Sequence, residues 1–349
     1  MNIKKIQDAD VQGKNVIVRV DFNISIDDTK DVKSSYKLRA AQETIEHLLR
    51  SGATHVALLT HFGRPDAKDD PDNSVQNIAD DAERILGRKI VFVSDCIGEK
   101  VVDALTATDP GTILLLENVR FYAEEETDDA SFASALCAPF DIYVNEAFAV
   151  SHRKHASVHA ITRCLDAYAG LWLQKELDNL EKVKNDPQHP AVAIIGGAKI
   201  ETKIPVINEL AKKYDKVLVG GRTAVEAQEQ KLVLGDNVIF PVDFMDQFYD
   251  IGPQTIERFC QEIATARTIV WNGPMGKIED DEYKKGTLAL IEQITANTEA
   301  YSLIGGGESV QMAEESGLIE KFSFVSTGGG ATLVYLGGEE MPGIDVLMK

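Results

Sequence analysis

Charged side chains follow hydrophobic segments in the first half of the chain, at the point where each segment ends. The segments end in VDFN, THFGR, ENVRF and NEAFAVSHR, and they bring Asp21, Asn23, His61, Arg64, Arg120, His152 and Arg153. Arginine binds phosphate or carboxylate through paired hydrogen bonds. Three arginines at equivalent positions therefore predict an anion site. The alternative is that each arginine pairs with a surface acid, such as those at 124–126.

In the second half, the hydrophobic segments end in glycine instead: GGAK, GGR, WNGPMG, IGGGE and STGGG. Glycine lets backbone N–H groups approach phosphate oxygens, and a following helix adds its dipole. One such loop is only a tight turn, but five in one domain predict a nucleotide phosphate site. Lys199 and Lys203 follow the first loop, and Glu308 after IGGG is a candidate for holding Mg²⁺.

Strands and helices must position these residues. The sequence predicts them from short β-branched runs that alternate with helical patterns. Strands are predicted at 16–20, 56–60, 89–93, 112–117, 141–147, 191–197, 216–221, 237–243, 268–273, 301–307 and 322–330. Nearly all are continuously hydrophobic, as is typical of strands covered on both faces. The pattern predicts an α/β fold with parallel sheets, in which ligands bind beyond the carboxyl ends of the strands.

A helix is predicted between the two halves. In LWLQKELDNLEKVK the leucines at 171, 173, 177 and 180 recur at helical spacing, and the polar NDPQHP follows. We therefore predict a first domain at 1–170, a linking helix at 171–185 and a second domain at 186–334.

Composition excludes several classes of protein. The 349 residues carry a formal net charge of −20, which argues against nucleic acid or an anionic membrane as partner. No apolar run approaches a membrane span, and the first residues lack the apolar core of a signal peptide. The four cysteines are far apart and form no CxxC, so reduced thiols in the cytoplasm are expected.

The segment SSYKLRAAQ, residues 34–42, predicts a helix start with Ser34 or Ser35 as the cap. Lys37 and Arg39 lie in or near its first turn, where the helix dipole disfavours cations. The two cations are explained if an anionic group binds above this turn.

Three histidines at 152, 155 and 159 have a spacing that could place metal ligands on one helix face. Arg153 and Lys154 between them would repel a dication, so a structural or substrate-contacting role is favoured.

The P-loop motif GxxxxGK[ST] is absent, and no GxGxxG follows a strand. Side-chain cations in one domain and glycine loops in the other fit phosphoryl transfer across an interdomain cleft that closes by a hinge.

The motifs RVDFN, HFGRP, LLENVRF, YVNEAF, SHRKHAS, GGAKIETK, WNGPMG, IGGGES, VSTGGGA and MPGIDVL span nearly the whole chain. In them the chain resembles the phosphoglycerate kinase family. The resemblance implies two Rossmann-like three-layer α/β domains with parallel sheets joined by a hinge helix, and a tail at 335–349 that packs on the first domain. It also implies reversible transfer of a phosphoryl group between ATP and 3-phosphoglycerate with Mg²⁺.

The same resemblance implies a role for each matching residue. The 3-phosphoglycerate site would comprise Asp21, Asn23, Lys37, His61, Phe62, Gly63, Arg64, Arg120 and Arg153. The nucleotide site would comprise Gly197, Lys199, Lys203, Gly221, Asn272, Pro274, Glu279, Gly306, Gly307, Glu308 and Ser309. Lys37, Lys199, Gly306 and Gly329 would be catalytic, and Glu308 would hold the magnesium ion.

The chain departs from the family pattern at several positions. Lys37 stands where the family has an arginine, and Arg39, about 200° away around the helix, cannot simply replace it. Glu308 replaces an aspartate, Arg222 replaces the third glycine of a triplet, and Tyr122 replaces a histidine. Two stretches, 222–240 and 243–250, are shorter than in the family.

Three hypotheses follow. The first is a working phosphoglycerate kinase, which we expect to be monomeric and to bind neither nucleic acid nor membrane. The second is a paralogue with reduced activity or altered nucleotide preference that acts as a binding or regulatory protein. The third is a related small-molecule kinase with a different nucleotide preference. The intact glycine loops with Lys199 and Lys203 favour the first.

Overall fold

The structure is a computed structural model that describes residues 1–24 and 36–349. These residues form two compact units, one of 1–175 with 341–349 and the other of 176–340. Within the described residues, no helix is long and apolar enough to cross a bilayer.

The first unit is built around a six-stranded parallel sheet. Its strands are β1 Asn15–Arg19, β2 His55–Leu59, β3 Ile90–Val93, β4 Thr112–Leu116, β5 Ile142–Asn145 and β6 Asp166–Ala169, in the order β3-β4-β2-β1-β5-β6. Its helices are α1 Tyr36–Ala40, α2 Gln42–Arg50, α3 Ala79–Leu86, α4 Glu99–Ala107 and α5 Ala130–Cys137. Helix α6, Leu171–Asn185, begins in this unit and continues into the other.

The second unit has its own six-stranded parallel sheet and a small antiparallel hairpin. The sheet strands are β7 Ala191–Ile195, β8 Lys216–Val219, β9 Val238–Ile239, β12 Thr268–Asn272, β13 Tyr301–Gly305 and β14 Phe324–Val325, in the order β14-β13-β12-β7-β8-β9; the hairpin is β10 Phe244–Met245 and β11 Asp250–Ile251. The helices are α7 Ile204–Ala211, α8 Gly221–Glu229, α9 Pro253–Thr265, α10 Lys285–Ala296, α11 Gly307–Glu315 and α12 Gly330–Leu336. The predicted α/β class with parallel sheets is confirmed.

The strand runs of the sequence are buried as their hydrophobicity predicts. Every residue of β2, β7 and β12 is buried, because helices cover both faces of a parallel sheet. The run predicted at 237–243 gives only the two residues of β9, and Pro241, which has no N–H to donate, follows shortly after it. Strand β6 and the β10–β11 hairpin were not predicted.

In each sheet, the order in which the chain adds strands reverses beside the central strand. The candidate site residues follow strands on either side of this switch point. In the first sheet the chain runs from β1 to β2 on one side and later adds β5 on the other side of β1. In the second sheet it runs from β7 to β8 on one side and later adds β12 on the other side of β7. Ligands of open α/β sheets bind in the crevice at such a switch point.

The C-terminal tail belongs to the first unit from Met341 onward, and 335–340 belongs to the second. The tail forms helix α13, Pro342–Asp345, and Met348 pairs with Ile3 in an antiparallel bridge. Asn145 Nδ2, at the end of β5, donates to Gly343 O at 2.9 Å. A Cβ on Gly343 would lie 2.4 Å from Val158 Cγ1, so the tail approaches this unit more closely than any other residue type would allow.

Candidate active site

Helix α1 brings Lys37 to the carboxyl end of β1. Its Nζ lies 2.7 Å from the Oδ2 of the buried Asp21 and donates to Asn23 O at 3.1 Å. Arg39, two residues later, is exposed. The structure therefore directs Lys37, and not Arg39, toward the strand end; the predicted caps Ser34 and Ser35 lie outside the described residues.

Gly63 links three strand ends in the first unit. Its N–H donates to Asn23 Oδ1 at 2.9 Å, and its carbonyl accepts from Arg120 Nη1 at 2.9 Å. Its φ is +60°, and a Cβ there would lie 1.7 Å from Asn73 Oδ1. Only glycine fits this position, because any side chain would break the connection between the loops after β1, β2 and β4.

The three arginines that follow separate strands line one cavity of about 650 Å³. Arg64, Arg120 and Arg153 share its wall with Tyr122, which replaces a histidine of the family pattern, and with Lys68, which the sequence did not single out. Burial lowers the pKa of Arg120; Glu126, 3.3 Å away, opposes this effect, and the nearby Arg153 adds to it. Positive charge is thus concentrated in this cavity, and a phosphate or carboxylate would offset it.

Asn118, which the sequence interpretation did not select, holds two predicted residues in place. Its Oδ1 accepts from Phe62 N at 3.2 Å and from Arg120 N at 3.0 Å, and its Nδ2 donates to Phe62 O at 2.6 Å. Asn118 is fully buried at the end of β4. The signal in the sequence was an asparagine at the end of a hydrophobic run, two residues before Arg120, because an amide buried there must find hydrogen-bond partners.

His61 is buried beside Arg19, the last residue of strand β1. Arg19 Nη2 donates to His61 Nδ1 at 3.3 Å, and Arg19 also donates to Ser157 Oγ at 2.8 Å. Burial, followed by the charges of Arg19 and Arg120, holds the pKa of His61 well below its usual value. The imidazole ring of His61 is therefore neutral, and it adds no positive charge beside Arg19 and Arg120.

The neutral state of His61 predicts a pH dependence of stability. Below its ordinary pKa of about 6.5, the unfolded chain binds a proton that the folded ring rejects, so the folded state loses stability as pH falls. Between about pH 7.5 and pH 5.5, the free energy of unfolding should fall by about 1.4 kcal/mol more in the unmodified chain than in His61→Gln. Urea unfolding followed by tryptophan fluorescence measures this difference. His47→Gln, on the partly exposed side of α2, is the control. If the free energy of unfolding had the same pH dependence in the unmodified chain and in His61→Gln, the folded His61 ring would not be neutral.

The three later histidines do not share a helix face, because residues 152–159 form turns. Arg153 Nε donates to His152 Nε2 at 3.3 Å, and burial, with Arg153 next, lowers the pKa of His152 to about 4. His155 lies 3.7 Å from Glu125, whereas His159 lies 2.7 Å from Asp128. The histidines therefore have separate partners, and within the described chain no cluster of His, Cys, Asp and Glu forms a metal site.

In the second unit, three glycine loops touch without side chains between them. Gly197 N donates to Pro274 O at 2.8 Å, across the switch point between β7 and β12. Gly221 has a φ of +60°, and a Cβ there would lie 2.8 Å from both Gly197 N and Pro274 O. The loops pack this closely because the residues at the contact are glycines, and glycine also lets a phosphate approach the backbone.

The loops after β13 and β14 meet at Asn272. Gly306, with a φ of +91°, would place a Cβ 3.3 Å from Asn272 Oδ1. Asn272 Nδ2 donates to Gly329 O at 3.3 Å. Helix α11 begins at Gly307, and the buried Ser309 Oγ has no hydrogen-bond partner among the described residues. An unpartnered buried hydroxyl in the first turn of a helix can donate to an anion bound at its N-terminus.

Lys199 sits in the left-handed region, with a φ of +67°, directly after the first glycine loop. Its side chain is exposed, and its ammonium has no ion-pair or hydrogen-bond partner in the described part of the chain. Non-glycine residues rarely adopt this conformation, and such strain concentrates at functional positions. The strained backbone holds an available cation beside the loops.

Lys203, Glu279 and Glu308 form an electrostatic cluster. Loss of solvation raises the pKa of Glu308, the charge of Glu279 raises it further, and Lys203 opposes both. Loss of solvation also lowers the pKa of Lys203, and Glu308 opposes this effect. A carboxylate with a raised pKa gains from a nearby cation, so Glu308 fits a role with Mg²⁺.

Arg222 turns away from the loops toward its own helix. It lies 3.5 Å from Glu226 and 3.3 Å from Glu229, both on α8. The nearby hairpin β10–β11 carries the exposed Phe248 and Tyr249, and Lys277 N donates to Tyr249 O at 2.8 Å. This hairpin occupies the second of the two shortened stretches.

Comparisons with known proteins agree with this architecture. The family model described as phosphoglycerate kinase matches residues 6–239 and 225–339. The phosphoglycerate kinase of Wolbachia pipientis wMel is 37% identical over 398 aligned positions, covering 100% of this chain and 99% of the relative. That of Koribacter versatilis is 38% identical and covers 99% of each. The alignments are longer than the chain, as expected if internal stretches are shortened.

Solved structures give the same result. The crystal structure of phosphoglycerate kinase from Pyrococcus horikoshii has a TM-score of 0.88 at 27% identity, covering 99% of this chain and 98% of that one. The structure of phosphoglycerate kinase from Coxiella burnetii has a TM-score of 0.79 at 28% identity, with the same coverage.

The fold and these relatives define the chain as a kinase, an enzyme that transfers phosphoryl groups. It belongs to the phosphoglycerate kinase family. The predicted family and enzyme class are confirmed, and no comparison favours the regulatory alternative.

Proposed function

We propose that the chain catalyses reversible phosphoryl transfer between ATP and 3-phosphoglycerate, with the acceptor bound in the first unit and the nucleotide in the second. The cavity lined by Arg64, Arg120 and Arg153 carries this proposal, because it concentrates cations at a switch point in a chain of this family. It has the chemistry to hold the phosphate of 3-phosphoglycerate through bidentate hydrogen bonds.

In this proposal, Asp21 and Asn23 orient the glycerate part of the acceptor, and His61, Phe62 and Gly63 shape the wall beside it. The acceptor's own carboxylate attacks the γ-phosphorus, so no covalent intermediate with the enzyme is needed. Lys37, held by Asp21 at 2.7 Å, supplies positive charge on the acceptor side. Catalysis therefore consists of positioning and charge neutralisation.

On the nucleotide side, backbone N–H groups at Gly306 and Gly307 face the phosphates, and Gly197, Gly221 and Gly329 let their loops approach the phosphates closely. Lys203 and Ser309 contact them, Asn272 and Pro274 border the nucleotide, and Glu279 binds the ribose. Lys199 neutralises charge on the transferring group. Mg²⁺, held by Glu308 and the phosphates, would supply further positive charge to the phosphate oxygens.

A coupled assay tests the reaction. We expect turnover with 3-phosphoglycerate and ATP, measured beside GTP and pyrophosphate as donors. No turnover with any donor, together with measurable 3-phosphoglycerate binding in calorimetry, would support the binding-protein alternative. Turnover with GTP or pyrophosphate but not ATP would support the third hypothesis.

Lys37→Arg tests the largest departure from the family pattern. Arginine keeps the charge and adds a planar fork of donors for a phosphate or carboxylate. We expect kcat to rise, with the KM for 3-phosphoglycerate near its original value, in steady-state kinetics. Arg39→Lys, an exposed change two residues away, is the control and should have no effect. An unchanged or lower kcat in Lys37→Arg would show that Lys37 is not the weakened catalytic cation.

We also propose that the enzyme acts as a monomer in the cytoplasm. The four free cysteines support a reducing compartment. Light scattering after gel filtration tests the oligomeric state, and a mass near 38.3 kDa is expected.

A further inference from the structure

The fold brings two cysteines of the first unit to one carbonyl group. Cys137 ends helix α5, and Cys164 follows the turn Ala160–Arg163. Cys137 Sγ donates to Ile161 O at 3.6 Å, and Cys164 N donates to the same oxygen at 3.1 Å. The two residues, distant in sequence, are therefore neighbours in the structure.

A second contact places the two thiols on the same face of α5. Ser134 Oγ lies 3.8 Å from Cys164 Sγ. Ser134 and Cys137 are three residues apart on the helix and so share a face. The Cys164 thiol thus lies over the part of α5 that carries Cys137.

The two thiols differ in their access to solvent. Cys137 is buried and Cys164 is exposed. Burial, followed by the neighbouring Cys164 thiol, raises the pKa of the Cys137 thiol to about 12. Cys137 is therefore protected from direct attack by reagents in solution, whereas Cys164 is open to them.

We propose that Cys137 and Cys164 form a reversible disulfide, a modification site in the first unit, when the protein meets a small-molecule disulfide. The Cys164 thiolate attacks the reagent, forms a mixed disulfide and releases one small thiol. The Cys137 sulfur, after losing its proton to solvent, then attacks Cys164 Sγ and releases the second small thiol. Two protein thiols are oxidised by two electrons, and the reagent is reduced to two thiols.

The segment closed by this bond contains residues that belong to the acceptor side. It runs from α5 through β5 and the turn that carries Arg153, and it ends at Cys164. The disulfide would join the two ends of that segment without touching the cavity walls. Transient disulfides of this kind are typical redox responses of cytosolic proteins.

Mass spectrometry tests the pair on the full-length protein. The protein is incubated with oxidised glutathione, and its intact mass is measured before and after dithiothreitol. We expect a loss of two hydrogen atoms, about 2 Da, that dithiothreitol reverses, and a cross-linked peptide joining Cys137 to Cys164 after non-reducing digestion. Cys164→Ser should abolish the cross-link, and Cys260→Ser, a control outside this pair, should retain it.

Two outcomes would overturn the proposal. A stable mixed disulfide with one glutathionyl group, and no cross-linked peptide, would show that the Cys137 thiol does not reach Cys164. A cross-link that persists in Cys164→Ser, or that joins other cysteines, would show that the pair is not the site. Neither outcome bears on the proposed kinase reaction, which uses neither thiol.

Discussion

Replacing Lys199 with Met is expected to lower kcat by about 10³-fold, with a much smaller change in the KM for 3-phosphoglycerate. Lys199 presents an exposed ammonium beside the glycine loops, with no ion-pair partner among the described residues, on a strained backbone with a φ of +67°. A cation that acts on the developing charge of the transferring group contributes mainly to the transition state. Its loss should therefore appear in kcat in the coupled assay.

Two further variants separate charge from structure at this position. Lys199→Arg keeps the charge and should recover part of the activity. Lys212→Met removes an exposed lysine from the same unit, where it pairs with Glu209, and should leave kcat unchanged. A loss in Lys199→Met that appears only in KM would assign Lys199 to ground-state binding instead.

Replacing Glu308 with Ala is expected to reduce magnesium-dependent turnover by about 10²-fold, because a metal ion contributes several kcal/mol to the transition state. The raised pKa of Glu308, caused by loss of solvation and then by Glu279, indicates a carboxylate that gains from a cation. Titration of activity with MgCl₂ measures the effect. Binding of 3-phosphoglycerate, followed by calorimetry, should change little, because the acceptor is proposed to bind in the other unit.

The conservative variant distinguishes a metal role from a structural one. Glu308→Asp restores the carboxylate of the family pattern and should recover most of the magnesium dependence. Glu314→Ala, almost two turns further along α11 and away from the glycine loop, serves as the control. An equal loss of turnover and of 3-phosphoglycerate affinity in Glu308→Ala would contradict the division of labour between the units.

Local patterns in the sequence predicted most of the strands and the chemistry at their ends. Buried parallel strands are read as hydrophobic runs, so the strand ends, and with them Arg64, Arg120 and Arg153, could be located without a structure. That these arginines bind an anion stays a prediction. The same reasoning failed where the local pattern was weak. Strand β6 reads DAYA, and the hairpin strands β10 and β11 have two residues each.

The sequence also identified Lys37 as the residue to question, but only the fold decides which of two nearby cations faces the strand end. On a helix the side chains of Lys37 and Arg39 point in different directions, and the Nζ of Lys37 lies 2.7 Å from Asp21. Lys37 is therefore the cation that faces the strand end. The histidine triad shows the reverse case. Its spacing suggested one helix face, but Glu125 and Asp128 hold His155 and His159 in turns.

What the sequence alone determined is the class of fold and the family; the kind of ligand at each set of strand ends stays a prediction. What only the tertiary structure decided are the pairings between distant segments: Arg19 with His61, Gly63 with Asn23, and Cys137 with the carbonyl group of Ile161. The physical reason is that periodicity records whether a residue is buried, which is a local property. Which residues meet depends on strand order, and a sheet built as β3-β4-β2-β1-β5-β6 joins parts of the chain that no local pattern connects.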